Sequence, residues 1–219
     1  TIKLDRLFRT LRLHEHAQKY AQKVDQSSAP AQALLAYLDG INQYQEKGAK
    51  PLEFDLLGIT PRPFTMEDTM SIAGYLAYSF AAALRTEPTL SYIRQELGDD
   101  YLKIFDLTTP SAGAIPTAAQ PVLSNSDWSH LNAVAQLSQE ALLDAGLPQF
   151  EGSNGWVMNG AKTASGKPLL AGDPHITFSV PAVWYEAHLQ APDFELYGHF
   201  QALNPFALLG HNQEFGWSV

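Results

Sequence analysis

The chain has 219 residues, of which 45% are hydrophobic and 11% aromatic, which excludes a disordered or low-complexity protein and leaves room for a sizeable core. It carries 14 Lys+Arg against 23 Asp+Glu, a formal charge of −9, and shows no basic stripe with interleaved aromatics, so nucleic acid is not an expected partner. The absence of cysteine excludes disulfides, thiolate zinc sites and a cysteine nucleophile, and suits cytosol and periplasm equally. Charged residues make up only 17%, so polar contacts must come largely from Ser, Thr, Asn, Gln and backbone.

In chain order, Thr1-Ile-Lys-Leu-Asp-Arg6 lacks the charge and apolar pattern of a signal peptide. Leu7, Leu11, His14, Ala17 and Ala21 recur at three- and four-residue steps and predict one helix. Leu34, Leu35, Leu38 and Ile41 predict a second over 32–45. Thr65 stands three residues before Asp68, a capping box that opens a largely apolar helix over 66–84. Further helices are expected over 89–97, ending at Gly98, and 100–105. Residues 108–120 are Pro, Thr, Ala and Gly without period and read as a linker. A helix over 127–145 follows, stopped by Gly146-Leu-Pro148.

Beyond Gly152 the pattern turns to short apolar runs at 156–158, 169–171, 183–189, 194–197, 206–209 and 215–217, separated by Gly, Pro, Asn and Asp. Helices first and strands second predict an α+β fold. No run of eighteen apolar residues is present, so no membrane-spanning helix is expected. The final Phe215-Gly-Trp-Ser-Val219 reads as a strand, and the chain is expected to be a piece cut inside an element.

The densest group of special residues is Glu151-Gly-Ser-Asn-Gly-Trp156, followed by Lys162 to His175. By spacing alone Ser153 reads as a turn cap. The Gly-x-Ser-x-Gly elbow is absent. His14 and His16, two apart on a helix, do not face one site.

Ser153-Asn-Gly-Trp-Val157, Ala161-Lys-Thr-Ala-Ser-Gly-Lys-Pro-Leu-Leu-Ala171 and Asp173-Pro-His175 resemble the start of the catalytic chain of the penicillin acylase family. These enzymes are N-terminal-nucleophile amide hydrolases. The similarity continues through Val183 to Leu189, Phe194-Glu-Leu-Tyr-Gly-His199, Pro205-Phe-Ala-Leu-Leu-Gly-His-Asn212 and Phe215-Gly-Trp217. The helical first half is similar to the family's smaller chain, and among members the wording is most like bacterial acyl-homoserine lactone acylases.

The resemblance implies the antiparallel-sheet portion of an incomplete four-layer αββα fold. Residues 1–112 would be the helical part of the smaller chain, 113–152 a spacer, and 153–219 the truncated start of the catalytic chain. It implies self-cleavage between Gly152 and Ser153, a zymogen step that pairs the two chains as a heterodimer and makes Ser153 the nucleophile, with its own amine as base. His175 would hold that amine or the hydroxyl, against the alternative of a turn histidine.

Leu76, Phe80, Ile176, Leu208 and Leu209 are acyl-pocket candidates, with simple core packing as the alternative for each. Where penicillin-selective members carry Arg before the Phe, this chain has Ser79. No cofactor is expected for catalysis. A structural calcium would take Glu87 as one ligand, unless Glu87 is a solvated helix-end charge. One oxyanion donor and a catalytic Asn would lie beyond Val219, so the piece alone is expected to be inactive. The family implies a periplasmic enzyme acting on small amides, penicillin-like or N-acyl-homoserine lactone, bearing on antibiotics or quorum sensing. An uncleaved binding module and an unrelated serine hydrolase are the competing readings.

Overall fold

The computed structural model describes residues 2–81, 83–107, 122–147, 150–180 and 182–219, without the side chains of 83, 150 and 151. Seven α-helices are seen among them: α1 (Ile2–Thr10), α2 (Leu13–Ala21), α3 (Ala29–Lys47), α4 (Leu52–Leu57), α5 (Met66–Phe80), α6 (Ala83–Leu97) and α7 (Asn125–Ala145). A 3-10 helix covers Asp99–Phe105. Strands β1 (Phe150–Met158) and β2 (Leu169–Ile176) form an antiparallel ribbon. A second antiparallel sheet has the order β3 (Tyr185–Ala191), β4 (Phe194–Phe200), β5 (Leu209–His211) and β6 (Gly216–Trp217). The mixed helix and antiparallel-sheet expectation therefore holds. The expected domain boundary at 112/113 lies outside the described residues.

The chain divides into two compact units, one of residues 1–10 with 81–147 and one of 11–80 with 148–219. This division explains why the single helix expected over 7–21 is two. Arg12 takes a left-handed conformation (φ 55°) that interrupts the helical hydrogen-bond ladder. Leu7 then buries in the first unit, and Ala17 and Ala21 in the second. Periodicity reports a shared face but not which body that face meets.

In the first unit α7 packs on α1 and α6, burying Leu7, Trp128, Ala135, Ala141 and Leu142. The start of α7 is a complete capping box: Asp127 N–H donates to Ser124 Oγ at 3.2 Å, and Ser124 N–H to Asp127 Oδ2 at 3.1 Å. Gly146 ends the helix at φ 61°. Gln95 of α6 ties down the approach to α7. Its Oε1 accepts from Leu123 N–H (3.2 Å) and Trp128 Nε1 (3.1 Å), while its Nε2 donates to Leu123 C=O (3.1 Å). Pro88 lies inside α6, which begins six residues before the helix expected over 89–97. The proline removes one N–H donor near the helix start, a loss the remaining turns tolerate.

In the second unit the core of Ala21, Ala31, Leu34, Leu38, Met66 and Leu203 joins α2, α3 and α5 to the segment after β4. Asn42 of α3 pairs with the Phe64 peptide, donating to its C=O at 2.9 Å and accepting from its N–H at 2.7 Å. Under the sheet lie Leu196, Phe200 and Ala207. Tyr185 stacks on Phe200 (centroids 5.5 Å apart) and shares a hydroxyl hydrogen bond of 2.7 Å with Tyr37 of α3. Burial, with the Tyr37 contact second, pushes the Tyr185 phenol well above its ordinary pKa.

The expected start of α5 is built as half a capping box. Asp68 Oδ2 accepts from Thr65 N–H at 2.8 Å and from Arg62 Nη1 at 2.9 Å. Arg62 chiefly, then the Thr65 groups, holds the Asp68 carboxyl below the ordinary carboxylate range. A depressed folded-state value stabilises the fold above the unfolded pKa of about 3.9, and that contribution fades as pH falls through the lower folded value. Asp68→Asn is therefore expected to cost about 1 kcal/mol at pH 7. Urea titrations at several pH values should show the difference closing in acid. A gap that stays constant down to pH 2 would remove the carboxylate from the account.

Candidate active site

Ser153 does not cap a turn; the structure corrects that reading. Gly152 and Ser153 lie within β1, paired to β2 in the register Gly152↔His175, Ser153↔Pro174, Asn154↔Asp173, Gly155↔Gly172. The register shifts between Phe150 and Gly152, leaving Glu151 as a bulge beside the Gly152–Ser153 bond. Bulges kink a strand and increase its twist, here next to the bond expected to break. The turn reading failed because Gly, Ser and Asn disfavour strands only mildly, and the partner strand twenty residues on supplies the ladder.

Strand alternation sorts the ribbon into two faces. Gly152, Asn154 and Trp156 share one face with His175, Asp173 and Ala171; Ser153, Gly155 and Val157 share the other with Pro174, Gly172 and Leu170. The hydrogen bonds agree. His175 Nε2 lies 3.1 Å from Asn154 Nδ2 and 3.1 Å from Asp173 Oδ2, and its Nδ1 lies 3.9 Å from where a Cβ would stand on Gly152. The His175 ring thus covers the Gly152 end of the junction from the side opposite the Ser153 side chain. Ser153 is exposed, and among the described residues its hydroxyl has no hydrogen-bond partner.

The Ser153 face of the ribbon borders a groove of ≈ 690 Å³. Val157, Leu170 and Gly172 form one wall, and Tyr197, Leu209 and Trp217 are on the other. Close approach requires Gly172: a Cβ there would stand 3.4 Å from Leu209 Cδ2 and 2.0 Å from Ser218 Oγ. On the sheet, Tyr197 donates its hydroxyl proton to Glu186, which raises the phenol's pKa. The Glu195 carboxyl is held low, first by Gln213 and then by His188.

Of the five acyl-pocket candidates, Leu209 lines this groove and Leu76, Phe80, Ile176 and Leu208 do not. Leu76 (half-buried) and Phe80 (46% exposed) lie one turn apart on α5, which packs against β1. Ile176 ends β2 opposite Phe150, and Leu208 N–H donates to His199 C=O at 3.0 Å. Glu87 is exposed on α6. Calcium takes six to eight oxygen ligands, and among the described residues no group of three or more His, Asp or Glu could hold a metal. His14 and His16 are both exposed on α2.

The sequence reading assigned no role to Asn154 and Asp173, although both stand in the quoted motifs. Asp173, two residues from His175, shares its strand face, but Asn154, twenty-one residues away, reaches the ring only once the ribbon is paired.

The family model described as penicillin amidase matches residues 1–219. Acyl-homoserine lactone acylase QuiP of Pseudomonas aeruginosa is 25% identical over 222 residues, covering 100% of this chain and 26% of the relative. That of Pseudomonas fluorescens is 27% identical over 223 residues, covering 98% and 27%. Penicillin acylase 2 proenzyme of Pseudomonas sp. strain SE83 is 28% identical over 190 residues, covering 85% and 24%. The chain spans about a quarter of the length of the curated relatives it matches. No solved structure matches it significantly. With a match that runs over every residue, motifs around Ser153 included, this chain belongs to the penicillin amidase family.

Proposed function

We propose that the protein to which this chain belongs is an acylase, hydrolysing the amide of a small acylated substrate with Ser153 as nucleophile. The observation that carries the reading is the family match across the whole chain, to which the Gly152–Ser153 junction adds an accessible, bulged strand. In the uncut chain the Ser153 nitrogen is an amide and has no basicity. Cleavage turns it into an α-amine of pKa about 7.7–8.0, able to accept the hydroxyl proton near neutral pH. The hydroxyl then attacks the substrate carbonyl, the amine product leaves, and water hydrolyses the acyl-serine.

The relatives named as acyl-homoserine lactone acylases and penicillin acylase support N-acyl-homoserine lactones and penicillins as the substrates to try first. Ser79 in place of the Arg of penicillin-selective members favours the former. The groove beside Leu209 is within the size range of small-ligand sites, and the acyl chain would lie there, with Leu76, Phe80, Ile176 and Leu208 lining its continuation.

The antiparallel sheets would belong to a four-layer αββα fold, completed by the rest of the catalytic chain. The match to a proenzyme supports processing into paired chains. Glu87 would supply one ligand of a structural calcium, and the location would be periplasmic. Among the described residues no helix is long and apolar enough to cross a membrane.

Intact mass spectrometry of the full-length protein tests the reading, together with amine release from N-acyl-homoserine lactones and penicillins. A chain beginning at Ser153 and turnover of either substrate class are expected. A single uncut species that still hydrolyses amides would overturn the mechanism.

A further inference from the structure

We propose that Asp173 is a positioning residue: it accepts the Nε2 proton of His175 and thereby turns the Nδ1 lone pair toward the Gly152–Ser153 junction. The inference rests on the reading above for its catalytic consequence, though not for its geometry.

His175 Nε2 has two partners at 3.1 Å, the Asn154 amide nitrogen and the Asp173 carboxylate. A ring nitrogen has one in-plane position, so it either accepts from Asn154 or donates to Asp173. An ionised carboxylate only accepts, and a hydrogen bond to it is roughly twice as strong as one between neutral groups. The contest therefore goes to Asp173, and the neutral ring carries its proton on Nε2. With Nε2 protonated the ring offers the Asn154 amide nitrogen no lone pair there, and the amide's orientation follows the proton rather than setting it.

The other nitrogen is what the site uses. With the proton on Nε2, Nδ1 is an acceptor, and it sits 3.9 Å from the Cβ position of Gly152, on the ribbon face opposite the Ser153 side chain. After the Gly152–Ser153 bond is cut, that acceptor takes an N–H of the new Ser153 amine. The amine's lone pair is left directed toward its own hydroxyl on the far face, as proton transfer from that hydroxyl requires. In the other tautomer, Nδ1 would present an N–H to the amine and compete with the hydroxyl for its lone pair. Strand pairing makes the arrangement possible, since Asn154 and Asp173 are directly opposite one another and flank the His175 ring. Pro174 stiffens the backbone between Asp173 and His175.

Two measurements on the full-length protein decide it. The first uses Ser153→Ala protein labelled with 15N-histidine, in which nitrogen shifts report the tautomer whether or not the chain is cut. The Nε2–H form is expected for His175, shifting toward Nδ1–H when Asp173→Ala is added. An Nδ1–H ring with Asp173 intact would overturn the proposal in favour of Asn154.

The second measures acyl transfer in protein that has Ser153. Asp173→Ala is expected to lower kcat about tenfold with little change in KM, and to add nothing in a His175→Ala background. An equal loss in both backgrounds would make Asp173 a structural residue and overturn the proposal. Wild-type protein that yields no chain beginning at Ser153 would sink the acylase reading and this catalytic role with it, a result distinct from either tautomer outcome.

Discussion

Ser153→Ala in the full-length protein is expected to leave one uncut chain with no measurable amide hydrolysis, a loss of at least about a thousandfold. Both steps require the same oxygen: first on the Gly152 carbonyl, then on the substrate carbonyl. Alanine keeps the backbone and Cβ and removes only that atom. Ser153 is exposed, and among the described residues its hydroxyl has no hydrogen-bond partner, so the substitution should change stability by no more than about 0.5 kcal/mol. Loss of function with an unchanged urea midpoint would locate the defect in chemistry rather than folding. An alanine variant that still yields a chain beginning at residue 153, or that keeps a tenth of the turnover, would eliminate Ser153 as nucleophile.

Gly198→Ala is expected to destabilise the second unit by about 3 kcal/mol. Gly198 lies in β4, paired with β3 on one side and with β5 on the other, where it faces Gly210 directly. A Cβ at 198 would stand 2.2 Å from Leu209 C=O, 2.8 Å from Gly210 Cα and 2.8 Å from Ala207 Cβ. Two of these are backbone atoms of the neighbouring strand, which cannot rotate away, so β5 must separate from β4. That movement would also shift Leu209, which lines the groove on the Ser153 side of the ribbon. Gly155→Ala is the control, because a Cβ there meets nothing within 4 Å, and it should cost well under 1 kcal/mol. Denaturant titrations of the two variants compare them directly. Equal midpoints would show that the sheet yields where the geometry says it does not.

How far the sequence could be read differs residue by residue. The body and end of the α7 helix were legible over 127–145 because their signals are local, an apolar face closed by Gly146; the structure starts the helix two residues earlier, at Asn125, with Ser124 as its cap. Asp68 was legible as a helix-start residue because its Thr65 partner is three residues away. The break at Arg12 was not, since it falls inside an unbroken apolar period and is decided by which unit buries each half. Phe206–Leu208, expected in a strand, lies outside β5, which begins at Leu209; hydrophobicity marks burial, and Ala207 is buried without pairing.

For the site, the motifs around Ser153 and Asp173-Pro-His175 were sufficient to identify the family, because they are stretches of adjacent residues whose order survives in the chain itself. Those motifs could not say on which face of a ribbon each side chain stands. That His175 covers Gly152 from one side while Ser153 stands on the other follows from the β1–β2 register. Register is a pairing between segments about twenty residues apart, and a one-residue slip would exchange the two faces. By itself, then, the sequence determined the helix ends with local caps, the α+β order and the family. Tertiary structure alone decided the two-unit division, the contacts of His175 with Asn154 and Asp173, and the approach at Gly172. The physical reason is the same in each case: caps and motifs are satisfied by neighbours in the chain, whereas burial, strand register and close packing are satisfied by partners that only folding brings near.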